Sequence, residues 1–355
     1  MQNSLGITGE GIRVAVMDTG IDYDNADLGG DGVQRSNSTV FPTARVIAGW
    51  DFVGDAFNFD QTPVPDPYPD DCGGHGTHVS GIVGANGVVK GVAPGVSFGA
   101  YRVFGCGGST TSDIMLAAME RALADGMQVL NMSIGARAQH PKFPTAAAAT
   151  RLLRRGMVVV ASIGNNGPGG NPADGPYGAG APGVGADVIG VASYDNTQLT
   201  QKAFTANPGN LAIGFNTASG APPPPASGTL SLSATSPSIL GCAAADFAGF
   251  PAGNAALISR GTCTFFQKAT NAQAAGATAV VLYNNVAGAL NPTVAGTPAI
   301  TIPVVAVTQS AGSTLAALPG GTITWGNQVV VSAIASGGLI SSFSSFGMAA
   351  DLTIK

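Results

Sequence analysis

The strongest constraint on the fold is an alternation that runs through the first 196 residues. Apolar runs rich in small and β-branched residues recur at 12–17, 97–104, 128–134, 157–163 and 188–193. The first, 12–17, reads as a strand buried on both faces. Between the runs lie helical stretches. One opens at His75 and runs to Gly84. Another follows Thr111 or Ser112, carries Ile114, Ala118, Met119 and Ala122 on one face, and stops at Gly126. A third, 144–155, is ended by Gly156. Strand–helix–strand repetition predicts an open parallel sheet with helices on both faces, whose functional groups collect at the carboxyl ends of the strands. Residues 29–71 read as a long surface excursion, with Pro63, Pro65, Pro67 and Pro69 excluding regular structure.

The character changes after Asn196. Residues 221–228 form a proline-rich linker or long loop. Beyond it, strands are expected at 255–259, 277–283, 302–307 and 322–331, with short helices at 264–275 and 309–318. This is a second, smaller α+β unit. Gly337-Gly338 then leads into a serine-rich segment unlike either part.

Only 10% of the 355 residues are charged, so solubility rests on Ser, Thr, Asn and Gly, a composition that suits a secreted protein. A net charge of −5 gives no basic footprint for nucleic acid. The longest apolar runs, 157–161 and 277–282, fall far short of a membrane span. Residues 1–11 lack the pattern of a secretory leader, so a secreted protein is expected here without one. The four cysteines allow three pairings if all are bridged. Pairing within each half, Cys72–Cys106 and Cys242–Cys263, is the economical arrangement; four buried free thiols are the alternative.

Nucleophilic catalysis by a hydroxyl needs a histidine to take its proton and an acid to orient that histidine. Asp18 ends the first strand and His75 opens the first long helix. Asn165 follows the 157–163 strand, where an amide can donate to an oxyanion; capping a turn is its plainer role. Asp18-Thr19-Gly20 also fits a carboxylate dyad, but the chain has no second such triplet. Cys72, His75 and His78 have an i, i+3 histidine spacing where a zinc helix has i, i+4, and no local acid completes the set beyond Asp70 and Asp71, so no metal is assigned. His78 is expected beneath the helix as a structural residue, and His140 in a surface loop.

Taken together, Val14-Ala15-Val16-Met17-Asp18-Thr19-Gly20-Ile21-Asp22, His75-Gly76-Thr77-His78-Val79-Ser80-Gly81 and Ala161-Ser162-Ile163-Gly164-Asn165-Asn166-Gly167 resemble the early motifs of subtilisin-like serine proteases. The resemblance implies a three-layer α/β fold with a parallel sheet. It makes Asp18 the triad acid, His75 the general base and Asn165 the oxyanion donor. Asn131 to Gly135 is similar to the family's substrate-pairing strand, with Ser133, Ile134 and Gly135 contacting substrate. Tyr101 to Gly108, including Gly105, is similar to the facing strand. Ala256 to Phe265 and Val280 to Asn285 resemble a protease-associated domain, a module thought to influence substrate access. The implied domains are 1–196, an insert at 197–336, and a return at 337–355. Polypeptide substrates, a monomer and no required cofactor follow.

One partner is missing from the pattern. No Gly-Thr-Ser occurs near the C-terminus, and Ser341, Ser342, Ser344 and Ser345 lack the context of the family's nucleophile. The expectation is a sequence truncated before that serine, inactive by itself and prone to aggregate through exposed apolar surface. Asn37 and Asn131 match a glycosylation triplet, with Asn131 inside a predicted buried strand. Asp24 and Asp27 are read as solvated charges, structural Ca²⁺ being the alternative.

Overall fold

The computed structural model describes residues 2–107, 109–167, 177–334 and 336–355. Gly108, at the end of the expected facing strand, lies outside them. The chain divides into two units, Met1–Asp195 with Gly338–Lys355, and Asn196–Gly337.

The first unit is built on strands β1 (Arg13–Asp18), β2 (Val46–Asp51), β3 (Ser97–Arg102), β4 (Val129–Met132), β5 (Val158–Ser162) and β6 (Ile189–Val191). They pair in the order β2-β3-β1-β4-β5-β6, every neighbour parallel. All six carboxyl ends therefore lie along one edge. The helices are α1 (Gln2–Leu5), α2 (His75–Gly84), α3 (Ser112–Ala124) and α4 (Pro144–Arg154). Successive residues of a strand face opposite ways, and the core divides accordingly. Ala15, Met17, Leu130, Met132 and Val159 pack with Met115, Met119 and Leu152 of α3 and α4. Val14, Val16, Phe98 and Ala100 pack on the other face with Val79 of α2.

The second unit holds β7 (Gln198–Asn207), β8 (Leu211–Gly214), β9 (Asn216–Thr217), β10 (Gly228–Ala234), β11 (Ala255–Ser259), β12 (Ala279–Tyr283), β13 (Val304–Val307) and β14 (Thr322–Ala333). The sheet order is β8-β7-β14-β10-β11-β12-β13-β9, with β10 to β13 parallel and the flanks antiparallel. Helices α5 (Phe265–Ala274) and α6 (Gln309–Ala316) are each capped by a threonine hydroxyl, Thr264 accepting from the Gln267 amide and Thr308 from the Ala311 amide. Phe204, Phe215 and Trp325 meet in edge and stacked contacts inside this unit.

Two expectations need correction, and the pairing of cysteines within each half holds. Residues 29–71 contain β2, which pairs with β3 despite the proline-rich stretch that follows it. The second unit has β7 to β10 ahead of the first strand expected there. Both disulfides form within their halves, Cys72–Cys106 and Cys242–Cys263, so no thiol is free.

Candidate active site

Asp18 is the last residue of β1 and fully buried; His75 is the first residue of α2. The helix reaches the strand end because Gly76 has no side chain. A Cβ there would stand 2.1 Å from the Gly20 carbonyl oxygen and 3.0 Å from the Asp18 Cβ. The result is a hydrogen bond of 2.6 Å between His75 Nδ1 and Asp18 Oδ1. The Thr19 amide donates to the same oxygen at 2.8 Å. Burial pushes the Asp18 carboxyl above its ordinary range, opposed by the bonds from His75 and Thr19. Its Oδ2 is buried with no hydrogen-bond partner among the described residues.

A neutral imidazole that donates from Nδ1 keeps its lone pair on Nε2. The His75 side chain is 55% exposed, and among the described residues no hydroxyl is hydrogen-bonded to Nε2. The arrangement is an oriented base with an open nitrogen.

Asn165 follows β5, exposed, with no side-chain hydrogen bond among the described residues. One strand, β4, lies between β1 and β5. Their ends are thus about 10 Å apart at the usual inter-strand spacing. Ser133 and Ile134 follow β4 half-buried; Ser133 Oγ accepts from the Asn131 side-chain amide at 3.0 Å. Gly135 is exposed, where a Cβ would meet the Ala181 carbonyl oxygen at 2.6 Å. Gly105 is buried beneath the Phe57 carbonyl, which a Cβ would meet at 2.2 Å. The sheet edge gathers Asp18, Ser133 and Asn165 from three parallel strands.

Three C-terminal serines are committed to structure. Ser341 Oγ donates to Asp195 at 2.6 Å, and Ser344 Oγ accepts from the Ser193 amide at 2.9 Å. Ser345 Oγ accepts from the Asn166 amide at 2.9 Å, so this segment underlies the Asn165 loop. Ser342 is exposed. None of the four is hydrogen-bonded to His75.

His78 is not beneath the helix. It is exposed and lines a cavity of about 870 Å³ with Asn25, Asp27, Ile82 and Val89. His140 is exposed, its Nδ1 accepting from the Lys142 amide. Asp24 is not a solvated charge either, whereas Asp27 is half-exposed. Asp24 is 3% exposed and pairs with Arg35, while Asp27 accepts from the Val88 and Val89 amides. Asn131 is half-buried and committed to Ser133, whereas Asn37 is exposed.

Two residues not singled out from the sequence knit the surroundings. Arg102, at the end of β3, is 2% exposed and pairs with Asp51 and Asp55. It also donates to the Asp70 and Phe104 carbonyls and contacts Cys72 Sγ at 3.1 Å. An arginine inside an apolar run, four residues before a cysteine, was the available signal. Asp71, four residues before His75, accepts bonds from both β1 and α2 flanks. Asp55, Cys72 and Cys106 place ligand-type atoms within 4.8 Å of one another, but the bridge consumes both thiols.

The model of the peptidase S8 "Subtilase family" matches residues 9–355. The chain is 34% identical over 319 residues to the minor extracellular protease Vpr of Bacillus subtilis (strain 168), covering 88% of this chain and 36% of Vpr. It is 29% identical over 328 residues to the PI-type proteinase of Lactococcus lactis subsp. cremoris, covering 78% of this chain and 16% of that protein. Subtilisin Savinase of Lederbergia lenta is 29% identical over 242 residues, covering 67% of this chain and 77% of Savinase. The chain thus spans about a third of the length of Vpr and about a sixth of the PI-type proteinase. A solved psychrophilic subtilisin-like protease, Apa1 from Pseudoalteromonas sp. AS-11, aligns with a TM-score of 0.47 at 19% identity, covering 92% of this chain and 80% of that one.

Proposed function

The chain belongs to the subtilase family, and from that premise we propose that its first unit is the acid–base part of a secreted serine endopeptidase acting on polypeptides. The observation that carries this is the 2.6 Å bond from His75 to Asp18. His75 Nε2 takes the proton of an attacking serine, and Asp18 holds the ring and stabilises its charged form. Asn165 donates to the developing oxyanion, an interaction for which loss of the donor in subtilisin costs about 10²–10³ in turnover. Ser133 to Gly135 pair with the substrate backbone, with Gly105 on the facing segment. Two disulfides and a low charge content support an extracellular setting. Among the described residues no helix is long and apolar enough to cross a membrane.

The second unit is read as a protease-associated domain. Support comes from its parallel β10 to β13 core, with α5 between β11 and β12. No cofactor is invoked. With no hydroxyl on His75 Nε2 among the described residues, these 355 residues alone do not turn over peptides. Incubation with casein is expected to give no cleavage. Casein cleavage that His75→Ala abolishes would overturn this. A second reading is a non-catalytic binding protein that keeps the fold and uses the peptide groove or the second unit. Peptide affinity that survives both Asp18→Asn and His75→Ala would support that alternative.

A further inference from the structure

The His75 ring hangs from the first residue of α2, and among the described residues its only hydrogen-bond partner is Asp18. With more than half of the side chain exposed, packing does not set the ring's place. The backbone beneath it does. The helix cap is Gly74, which has no side chain to receive the first-turn amides.

Asp71 performs that task and reaches further. Its Oδ1 accepts from Thr19 Oγ1 at 2.9 Å and from the Gly73 and Gly74 amides at 2.8 Å. Its Oδ2 accepts from the Thr77 amide at 2.9 Å and from Thr77 Oγ1 at 2.6 Å. Thr19 Oγ1 accepts in turn from the Gly76 amide at 2.8 Å. Thr19 adjoins Asp18 and donates to it; Gly76 adjoins His75. A ring of bonds therefore runs from Asp18 through Thr19 and Asp71 into the first turn of α2, and His75 closes it. The adjacent Cys72–Cys106 bridge ties down the same segment.

We propose that Asp71, acting with Thr19, is a positioning residue for His75, holding the start of α2 against the end of β1 so that Nδ1 stays on Asp18. The proposal rests on the reading of His75 as the base. A simple helix cap would satisfy amides only. Here the carboxylate also takes the hydroxyl of the residue beside the acid, and that hydroxyl takes the amide of the residue beside the base.

The test is NMR of the full chain labelled with ¹⁵N-histidine, which contains only three histidines. The readout is the His75 Nδ1–H signal and its exchange with water, assigned by its loss in His75→Gln. The native chain and Thr19→Ser are expected to show a deshielded, protected proton. Thr19→Val and Asp71→Asn are expected to speed its exchange about tenfold, the population shift of one lost hydrogen bond. Folded Thr19→Val and Asp71→Asn proteins with an unchanged signal would overturn the proposal. Should Asp71→Asn not fold, the threonine pair decides, and equal signals from Val and Ser overturn it. No peptide or nucleophile enters the measurement, so its failure is distinct from a failure of the hydrolysis reading.

Discussion

Asp18 and Asp70 are both buried carboxylates close to the start of α2, and burial raises the proton affinity of each. For Asp70 it reaches about 6 from an ordinary 3.8, with the charges of Asp22 and Asp24 adding to burial and the Ser38 and Asp71 amides opposing it. Between pH 4 and 6 the folded protein therefore holds a proton that the unfolded chain has released. Its stability falls as pH rises through this window, and the cost is fully present above pH 6. Urea midpoints of the native chain and Asp70→Asn, followed from pH 7 to 4, should show the native chain gaining on the variant by at most about 2 kcal/mol. A constant difference would refute this. Residue chemistry was partly legible beforehand. Asp18 and His75 stand in dense local motifs, and the structure brings them together. Asp71 was passed over because its importance comes from Thr19, far away in sequence and adjacent in space. Nothing in the local sequence marks it.

At the scale of elements, the parallel strands were legible because burial on both faces leaves an uninterrupted apolar run. β3, β4, β5 and β6 each lie inside the expected runs, and β1 passes the end of its run by one residue, to Asp18. β2 was hidden. Its burial is broken by exposed and half-buried positions, and it sits in a segment dominated by turn-formers. β7, β8 and β10 were missed for a related reason, since each leaves most positions exposed or half-buried; β7 and β10 are also rich in Thr, Ser and Gln, and β8 is only four residues long. His78 was misplaced because its face of α2 opens onto a cavity. The bridge at Cys72 closes a loop with a sequence separation of 34 and joins the approach to α2 to the segment after β3. Replacing Cys72 and Cys106 together by Ser should destabilise the first unit by about 2–4 kcal/mol. Urea unfolding followed by Trp50 reads that unit. A shift seen instead at Trp325, in the other unit, would contradict the assignment.

On the scale of the whole molecule, each unit has its own core, its own disulfide and one of the two tryptophans. Residues 196–337 expressed alone should fold, with a buried Trp325 emission and one cooperative transition that weakens on reduction of Cys242–Cys263. An isolated segment with solvent-exposed tryptophan emission would show that the unit depends on its host. The chain leaves the first unit at Asp195 and returns at Gly338, and these ends are hydrogen-bonded: Gly338 donates to the Asp195 carbonyl at 2.8 Å and Asp195 to that of Leu339 at 2.9 Å. Inside the second unit β7 and β14 run antiparallel from Gln198 opposite Ala333. Seen from the host, then, the entire insert occupies the place of a hairpin turn. The entropy of closing so long a loop grows only with the logarithm of its length and is met by the insert's own folding. The cost to the first unit of closing the chain between Asp195 and Gly338 therefore rises only slowly with the length of what lies between them.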